Sequence, residues 1–282
     1  MLKRKTTVAG KTILVRYTDS SRIHTEKGRR PKMNPTPSAV RRVNRINQER
    51  KLTAILNQNF EPGDLWVVLS YPDGTTPAEA MKEIEKFKRR LRDYCRKHEI
   101  ELKIVESMGI GSRKHKPHHH IVINKEVGHD LICRFWPEHF VNVNYLWADG
   151  NYQKVANYMI GNAGQTADEM GSAAKYKRAW RASRNVRLPE TREEVMRREP
   201  PCDPDDLQPH KGYYIDRDSI RMYEHSITGA RCVEYIEISL EEDPRLKKYY
   251  KGKPVKPERL YPEHWCEQIE MDTQIFLDEV NG

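Results

Sequence analysis

The feature that most constrains the fold is a run of three histidines that continues directly into three branched aliphatic residues, at positions 117–124 (PHHHIVIN). Branched aliphatic residues favour an extended, half-buried backbone, so the run predicts a β-strand in the protein core. Successive side chains of a strand point to opposite faces, so His118 and His120 share one face and His119 lies on the other. Whatever packs on the first face must therefore accommodate two imidazoles.

Six further elements are predicted around this strand, in the overall order β-α-β-β-α-β-α. Each element is predicted from the spacing of its apolar residues between turn residues. Apolar residues recur every two positions in strands and every three to four positions in helices. The strands are expected at 64–71, 101–108, 118–124 and 140–147, and the helices at about 76–98, 131–136 and 152–162. This is the order of the split βαβ, ferredoxin-like arrangement. We therefore expect an α+β domain whose antiparallel sheet presents one open face to a ligand.

Positive charge is concentrated near the N-terminus. The 282 residues have a formal net charge of +9, but residues 1–52 alone carry 15 Lys and Arg against 3 Asp and Glu, so the remainder is slightly acidic. We expect a mobile basic arm at 1–35, followed from Pro37 by an amphipathic helix with a cationic side. That side holds Arg41, Arg42 and Arg45. Such clusters bind nucleic acid by releasing counterions, and a merely solvated arm is the alternative.

A second basic cluster follows residue 164, where no acid interrupts the cations between 175 and 187. Aromatic residues that alternate with cations can stack unpaired bases while the cations hold phosphates, a combination that suits single strands. A surface helix whose aromatics only pack is an equally open interpretation. The residues expected to contact nucleic acid are Lys175, Lys177, Arg178, Trp180, Arg181 and Arg184.

The composition excludes several classes of protein. Five widely spaced cysteines, none in C-x-x-C spacing, argue against a zinc ribbon or a disulfide framework. No apolar run reaches the ~20 residues that span a bilayer, so we expect a cytoplasmic protein. No P-loop motif is present, which argues against a P-loop ATPase. The expected parts are the arm at 1–35, a domain at 36–190, and a linker with a small, partly β appendage at 191–282.

The two imidazoles on one face of the histidine strand predict a metal site. Histidine together with carboxylate oxygen can bind Mn²⁺ or a similar divalent ion such as Mg²⁺. Glu106, in the preceding strand of a predicted hairpin, is the candidate third ligand beside His118 and His120. Two other interpretations stay open: the histidines could be a pH-sensitive or tag-like patch, and Glu106 could be a solvated acid at a strand end.

The helix after the fourth strand carries a candidate nucleophile, Tyr158. A packing stripe of Val155, Met159 and Ile160 leaves this tyrosine on a neighbouring face, with Lys154 one turn before it. A phenol with a pKa near ~10 attacks phosphate poorly, so it needs a nearby cation or base and a metal that polarises the phosphate. A tyrosine of the core is the alternative.

The order of these parts resembles the three motifs of HUH rolling-circle initiators: DLWVVLSY, then PHHHIVIN, then a YMIG helix about forty residues later. The flanking segments KMNPTPSAVRRVNRINQERKLTAILNQNFEPGDLW and RAWRASRNVRLPE look like the rolling-circle replication-associated proteins of low-GC Gram-positive bacteria, their phages and their integrative elements. The resemblance covers roughly residues 30–190. It implies an HUH endonuclease fold and a role as a plasmid or phage replication protein.

The resemblance implies metal binding by His118 and His120, an acidic ligand at the position of Glu106, and nucleophilic attack by Tyr158. The motif also has a lysine three residues after the tyrosine, and this sequence has Gly161 there. Either Lys154 supplies the cation or activity is reduced. Tyr152 ranks second as nucleophile, because six residues of helix turn it about 240° away from the same site.

The implied activity is metal-dependent nicking of single-stranded or hairpin origin DNA through a 5′-phosphotyrosine intermediate. The free 3′-OH would then be extended by a host polymerase, with a host helicase as a further partner. A relaxase or transposase with the same chemistry is one alternative. The other is a non-catalytic, RRM-like nucleic-acid-binding protein.

Overall fold

The computed structural model describes residues 2–19, 38–111, 116–136, 140–170, 179–224 and 229–240. In these residues it has four helices and two antiparallel sheets of five strands, so the α+β class is confirmed. The helices are α1 (Ser38–Asn59), α2 (Pro77–Lys97), α3 (His129–Phe135) and α4 (Gln153–Met170). The strands are β1 (Leu2–Ala9), β2 (Thr12–Asp19), β3 (Leu65–Ser70), β4 (Ile104–Ile110), β5 (Pro117–Ile123), β6 (Val141–Tyr145), β7 (Arg181–Ala182), β8 (Glu190–Val195), β9 (Tyr213–Glu224) and β10 (Arg231–Ser239).

The central sheet has the strand order β6-β3-β5-β4-β7, with antiparallel pairing throughout. Its first four strands, with α2 and α3 between them, have the expected β-α-β-β-α-β order, and α4 follows. In chain order they occupy positions 4-1-3-2 across the sheet, as in a split βαβ arrangement. The predicted central antiparallel sheet is therefore confirmed, and β5, the histidine strand, lies in its middle.

Helix α2 begins where the sequence predicts, because its first turn is capped from both directions. The Thr76 hydroxyl accepts a hydrogen bond from the Glu79 amide at 3.3 Å, and the Glu79 carboxylate accepts one from the Thr76 amide at 2.8 Å. This is a capping box, with Pro77 at the first helical position. The buried side of α2 packs with α3 against one face of the central sheet through Ile84, Phe87, Leu91, Leu131, Ile132, Ile121 and Ile123.

Helices α1 and α4 cover the opposite face. Their apolar residues form one cluster with the β3 and β5 side chains that point to that side, including Leu52, Leu56, Val155, Met159, Trp66 and Val122. The expectation of an open sheet face is therefore wrong in this region. The physical reason is that α1, which precedes the β-α-β-β-α-β segment in the chain, packs its apolar side beside α4 on this face.

The predicted basic arm is wrong for residues 2–19. These residues form the β1–β2 hairpin, and they pair with β8 and β10 in a second sheet of order β8-β1-β2-β10-β9. Ile13, Val15, Val233 and Tyr235 form the core of this sheet. Residues 20–37 lie outside the described residues. The expected β structure of the C-terminal part is confirmed by β9 and β10.

The second sheet packs directly on α1 and α4. The carbonyl oxygen of Asn57 lies 2.1 Å from where a Cβ would stand at Gly10, so only glycine fits this crossing, and its φ of 55° suits glycine as well. The Asn57 amide donates to the Thr12 hydroxyl at 2.9 Å, and its oxygen accepts from the Tyr152 backbone at 2.9 Å. Arg50 of α1 pairs with Glu234 of β10 at 2.6 Å.

In the part of the chain that the structure describes, no helix combines the length and the apolar character needed to cross a membrane.

Candidate functional site

Strand β5 places its histidines as the alternation of side chains requires. The His118 and His120 rings lie on the face covered by α4, with their centroids 4.7 Å apart. His119 lies on the other face, where its Nδ1 shares a hydrogen bond of 2.8 Å with the Tyr71 hydroxyl. His118 and His120 are thus paired in space, while His119 belongs to the packing against α2.

Tyr158 of α4 stands over this pair. Its ring meets the His120 ring edge to face at a centroid distance of 4.9 Å and the Trp66 ring in the same way at 5.6 Å. The structure therefore brings the phenol and the two imidazoles, which are about forty residues apart in sequence, into one cluster. Their assignment as nucleophile and metal ligands remains a prediction.

Several buried polar atoms of this cluster have no hydrogen-bond partner among the described residues. Both ring nitrogens of His120 are unpaired although the residue is 0% exposed. The hydroxyls of Ser70 and Ser107 are unpaired as well, and these residues pair in register with His118 and His120, so they point to the same face. An unsatisfied buried polar group costs about 1–3 kcal/mol. These four atoms lie on this face of the sheet among the described residues.

Burial determines the charge of the imidazoles. It lowers the pKa of His118 to about 4 and the pKa of His120 well below its usual value. Both rings are consequently neutral near pH 7, which is the form that binds a metal ion. Burial also raises the pKa of Tyr158, and a hydrogen bond from the Asn162 side chain lowers it in part.

The absence of a side chain at Gly109 makes room for the His118 ring. A Cβ at position 109 would lie 2.4 Å from His118 Nε2 and 3.1 Å from the Asn162 Cβ. His118 Nε2 therefore lies in a gap between β4 and α4, close to the side chain that contacts Tyr158. Any substitution of Gly109 would push this ring out of its position.

Glu106 is not a ligand of this site, contrary to the prediction. It pairs in register with Ile121, so its side chain points to the α2 face, opposite to His118 and His120. There its Oε1 forms an ion pair with Lys88 Nζ at 2.6 Å. The hairpin register explains the error, because it places Ser107 instead of Glu106 beside His120. Among the described residues, no group of three His, Cys, Asp or Glu side chains is arranged to hold a metal ion.

The two other residues predicted near the nucleophile lie elsewhere. Lys154 is exposed in the first turn of α4. Its charge acts on Asp149, which precedes the helix, and on Asp216 of β9. The catalytic role predicted for Lys154 stays a prediction. Tyr152 is fully buried in the cluster of α1 and α4, and its ring packs edge to face on Trp147 at 5.8 Å. Tyr152 is therefore a core residue, and ranking it as a second nucleophile is wrong.

The residues predicted to bind nucleic acid lie at α1 and at the edge strand β7, and three of them lie outside the described residues. Arg41, Arg42 and Arg45 are exposed on α1, next to the helix that carries Tyr158. Trp180 is half-buried against α1, where its Nε1 donates to Gln48 at 3.0 Å. Arg181 and Arg184 are exposed at the edge strand β7 and line a cavity of about 610 Å³ beside α2. Lys175, Lys177 and Arg178 lie outside the described residues.

The sequence-based reasoning missed Ser70, Ser107 and Asn162. Ser70 and Ser107 are the small polar residues at the positions of β3 and β4 that face the histidines, and a correct register would have identified them. Asn162 follows Tyr158 by four residues, which places the two on one side of α4. This spacing was visible in the sequence.

The comparisons with known proteins concern the segment that holds this site. Residues 64–163 match the model of a family of replication-associated proteins, the ORF2 family. The match begins just before β3 and ends within α4, so it includes both histidines and Tyr158. The resemblance to replication initiators is thereby confirmed over this segment. Curated proteins and solved structures give no match.

Proposed function

Because residues 64–163 match the ORF2 family of replication-associated proteins, we propose that the chain starts rolling-circle replication as a metal-dependent endonuclease that nicks single-stranded DNA. One observation carries this proposal: the Tyr158 ring lies 4.9 Å from His120, whose two buried nitrogens have no partner among the described residues. A purely structural histidine would have at least one of them satisfied.

His118 and His120 would hold the divalent ion, Mn²⁺ or Mg²⁺. The fit rests on their neutral state, their shared face and the unpaired nitrogens of His120. Since Glu106 points to the other face, the remaining ligand positions would be filled by oxygen atoms from the Ser70 and Ser107 side of the pocket, from water or from the DNA. When bound, the ion would polarise the scissile phosphate.

Tyr158 would act on the phosphate as nucleophile. Its Oη forms a bond to phosphorus and loses its proton to solvent, while the bond from phosphorus to the 3′ oxygen breaks and that oxygen takes up a proton. The products are a 5′-phosphotyrosyl enzyme and a free 3′-OH that a host polymerase can extend, with a host helicase opening the duplex ahead. Trp66 would orient the phenol through its edge-to-face contact, and Asn162 lies beside it, with its side-chain amide donating to the Tyr158 backbone carbonyl at 3.1 Å. The reverse step rejoins the strand.

The test is the covalent adduct. The full chain is incubated with Mn²⁺ and with overlapping single-stranded oligonucleotides from the replicon that carries its gene, and peptide mass spectrometry locates the attached nucleotide. We expect the adduct on Tyr158, its loss in Tyr158→Phe with DNA binding retained, and no change in Tyr145→Phe, where the tyrosine is 60% exposed on β6. An adduct that persists in Tyr158→Phe would disprove the assignment.

The same experiment separates the alternatives. A non-catalytic RRM-like binding protein would retain the oligonucleotides without forming any adduct. A relaxase or transposase would form the same adduct, and mapping the nicked position to a replication origin or to a transfer or element end distinguishes these roles.

A further inference from the structure

We propose that Arg45 of α1 supplies the positive charge next to the nucleophile, by binding a phosphate of the scissile strand across the Gly161 position of α4. This inference rests on the proposed function and extends it to a residue on a different helix.

The geometry at Gly161 identifies Arg45. A Cβ built on Gly161 would lie 3.3 Å from Arg45 Nη2, and no other atom of the surroundings comes closer. The guanidinium group therefore occupies the space into which a side chain at position 161 would extend. Gly161 follows Tyr158 by three residues, so the two positions are neighbours on the surface of α4.

Arg45 is held in this position by its own helix. Its Nε donates to Glu49 Oε1 at 2.9 Å, one turn further along α1. The Glu49 side chain is only 10% exposed, whereas that of Arg45 is 55% exposed. The buried carboxylate thus fixes the arginine stem, while the Nη groups stay at the surface above α4. A planar guanidinium with two available Nη groups binds phosphate oxygens in a bidentate manner.

Among the described residues, Arg45 is the one cationic side chain that lies within 4 Å of a Cβ built at Gly161. His118 and His120 are the proposed metal ligands, and Asn162 carries no charge. Lys154, the other candidate on α4, lies at the start of the helix, where its charge acts on Asp149 and Asp216. A DNA strand that reaches Tyr158 from the solvent side meets the Arg45 guanidinium beside the same helix.

The role of Arg45 is tested by moving its charge. Arg45→Ala should lower the rate of adduct formation at saturating oligonucleotide and Mn²⁺ by a factor on the order of 100, as for loss of one donor to a transition-state oxyanion. Arg45→Lys should keep part of the rate. In Arg45→Ala combined with Gly161→Lys, the lysine on α4 re-creates the cation in the vacated space, and at least about a tenfold recovery is expected on the same scale.

Two controls separate a charge effect from a folding effect. Arg96→Ala, which removes an exposed arginine paired with Asp93 on α2, should leave the rate unchanged. The salt dependence of oligonucleotide binding should weaken in Arg45→Ala by about one phosphate contact, and the combined variant should restore it. A purely structural arginine would not give this recovery.

The outcomes distinguish the two proposals. If the wild-type chain forms no adduct, the proposed nicking activity fails. If it forms the adduct and Arg45→Ala forms it at the same rate, the endonuclease stands and the inference about Arg45 is overturned. Failure of Gly161→Lys to restore any rate or salt dependence in the Arg45→Ala background would also overturn it.

Discussion

His120 has opposite effects on stability and on the proposed activity. Its ring is 0% exposed and neither nitrogen has a partner among the residues that the structure describes, so in the metal-free protein it is an unsatisfied buried polar group. The same nitrogens are the ones that a divalent ion would engage. The His120 ring packs edge to face on Tyr158 and His118, but its polar atoms add no stability to the metal-free fold.

Replacement of His120 with leucine should therefore keep or raise the stability of the metal-free protein while abolishing its response to metal. For the wild-type chain, Mn²⁺ at about 100 times its dissociation constant should add about 2.7 kcal/mol to the free energy of unfolding. His120→Leu should show no such gain. Denaturant unfolding with and without Mn²⁺ measures both quantities, with the exposed His129→Leu as the matched control. An equal metal effect in His120→Leu would remove this residue from the site.

At the scale of elements, the register between β4 and β5 decides which residues belong to the site. Ser107 pairs with His120 and Glu106 with Ile121, so neighbouring residues of β4 serve opposite faces of the sheet. On the α2 face, Glu106 is bound by Lys88, whose side chain is 14% exposed and which also contacts Glu85. β4 thus contributes one structural carboxylate and one site hydroxyl.

Glu106→Gln should lower the free energy of unfolding by about 1–3 kcal/mol, because a buried charge-assisted hydrogen bond is weakened. The stabilisation by Mn²⁺ should be unchanged, since Glu106 does not face the histidines. Glu85→Gln, at the exposed end of the same Lys88 network, is the control and should cost less than about 0.5 kcal/mol. Loss of the Mn²⁺ effect in Glu106→Gln would mean that the register is different in the metal-bound protein.

These strands also show what the sequence could and could not predict. The histidine strand, the order of elements and the α2 start follow from local patterns, and all three are confirmed. The face on which Glu106 lies depends on how β4 pairs with β5 across the loop after Ile110, and no local pattern specifies that register. The contact between Arg45 and Gly161 likewise depends on the packing of two distant helices.

At the scale of the whole molecule, the junction of the second sheet with α4 contains a partly buried acid pair. Asn151 donates its backbone amide to Asp149 at 2.7 Å and its side-chain amide to Asp216 of β9 at 2.8 Å. Burial is the main cause that raises the pKa of Asp149 to about 7; the charge of Asp216 also raises it, while the Asn151 amide and Lys154 lower it. The attachment of the two sheets should therefore depend on pH.

The direction in which stability changes with pH follows from the number of protons bound by the folded and unfolded states. Between the ordinary aspartate pKa of 3.8 and about 7, the folded state keeps the Asp149 proton and the unfolded state has lost it, so stability falls as pH rises through this range. Asp149→Asn should remove this pH dependence. The free energy of unfolding of the variant, relative to that of the wild type, should therefore be higher at pH 8 than at pH 5. Denaturant unfolding of both proteins at pH 5 and pH 8 measures this difference, and Asp93→Asn, at an exposed acid of α2, is the control. A difference between variant and wild type that does not change with pH would contradict the assignment.

The second sheet pairs β1 and β2, from the first twenty residues, with β8 to β10, from residues 190–239. During translation, the opening hairpin leaves the ribosome long before the strands that complete its sheet, because the segment with the candidate site lies between them in the chain. Until β10 arrives, the hydrogen-bonding edge of β2 has no partner from its own sheet and can pair with another chain. The synthesis of this protein therefore includes an interval in which the second sheet lacks its later strands, and slower elongation before residue 239 would lengthen that interval without any change in the amino-acid sequence.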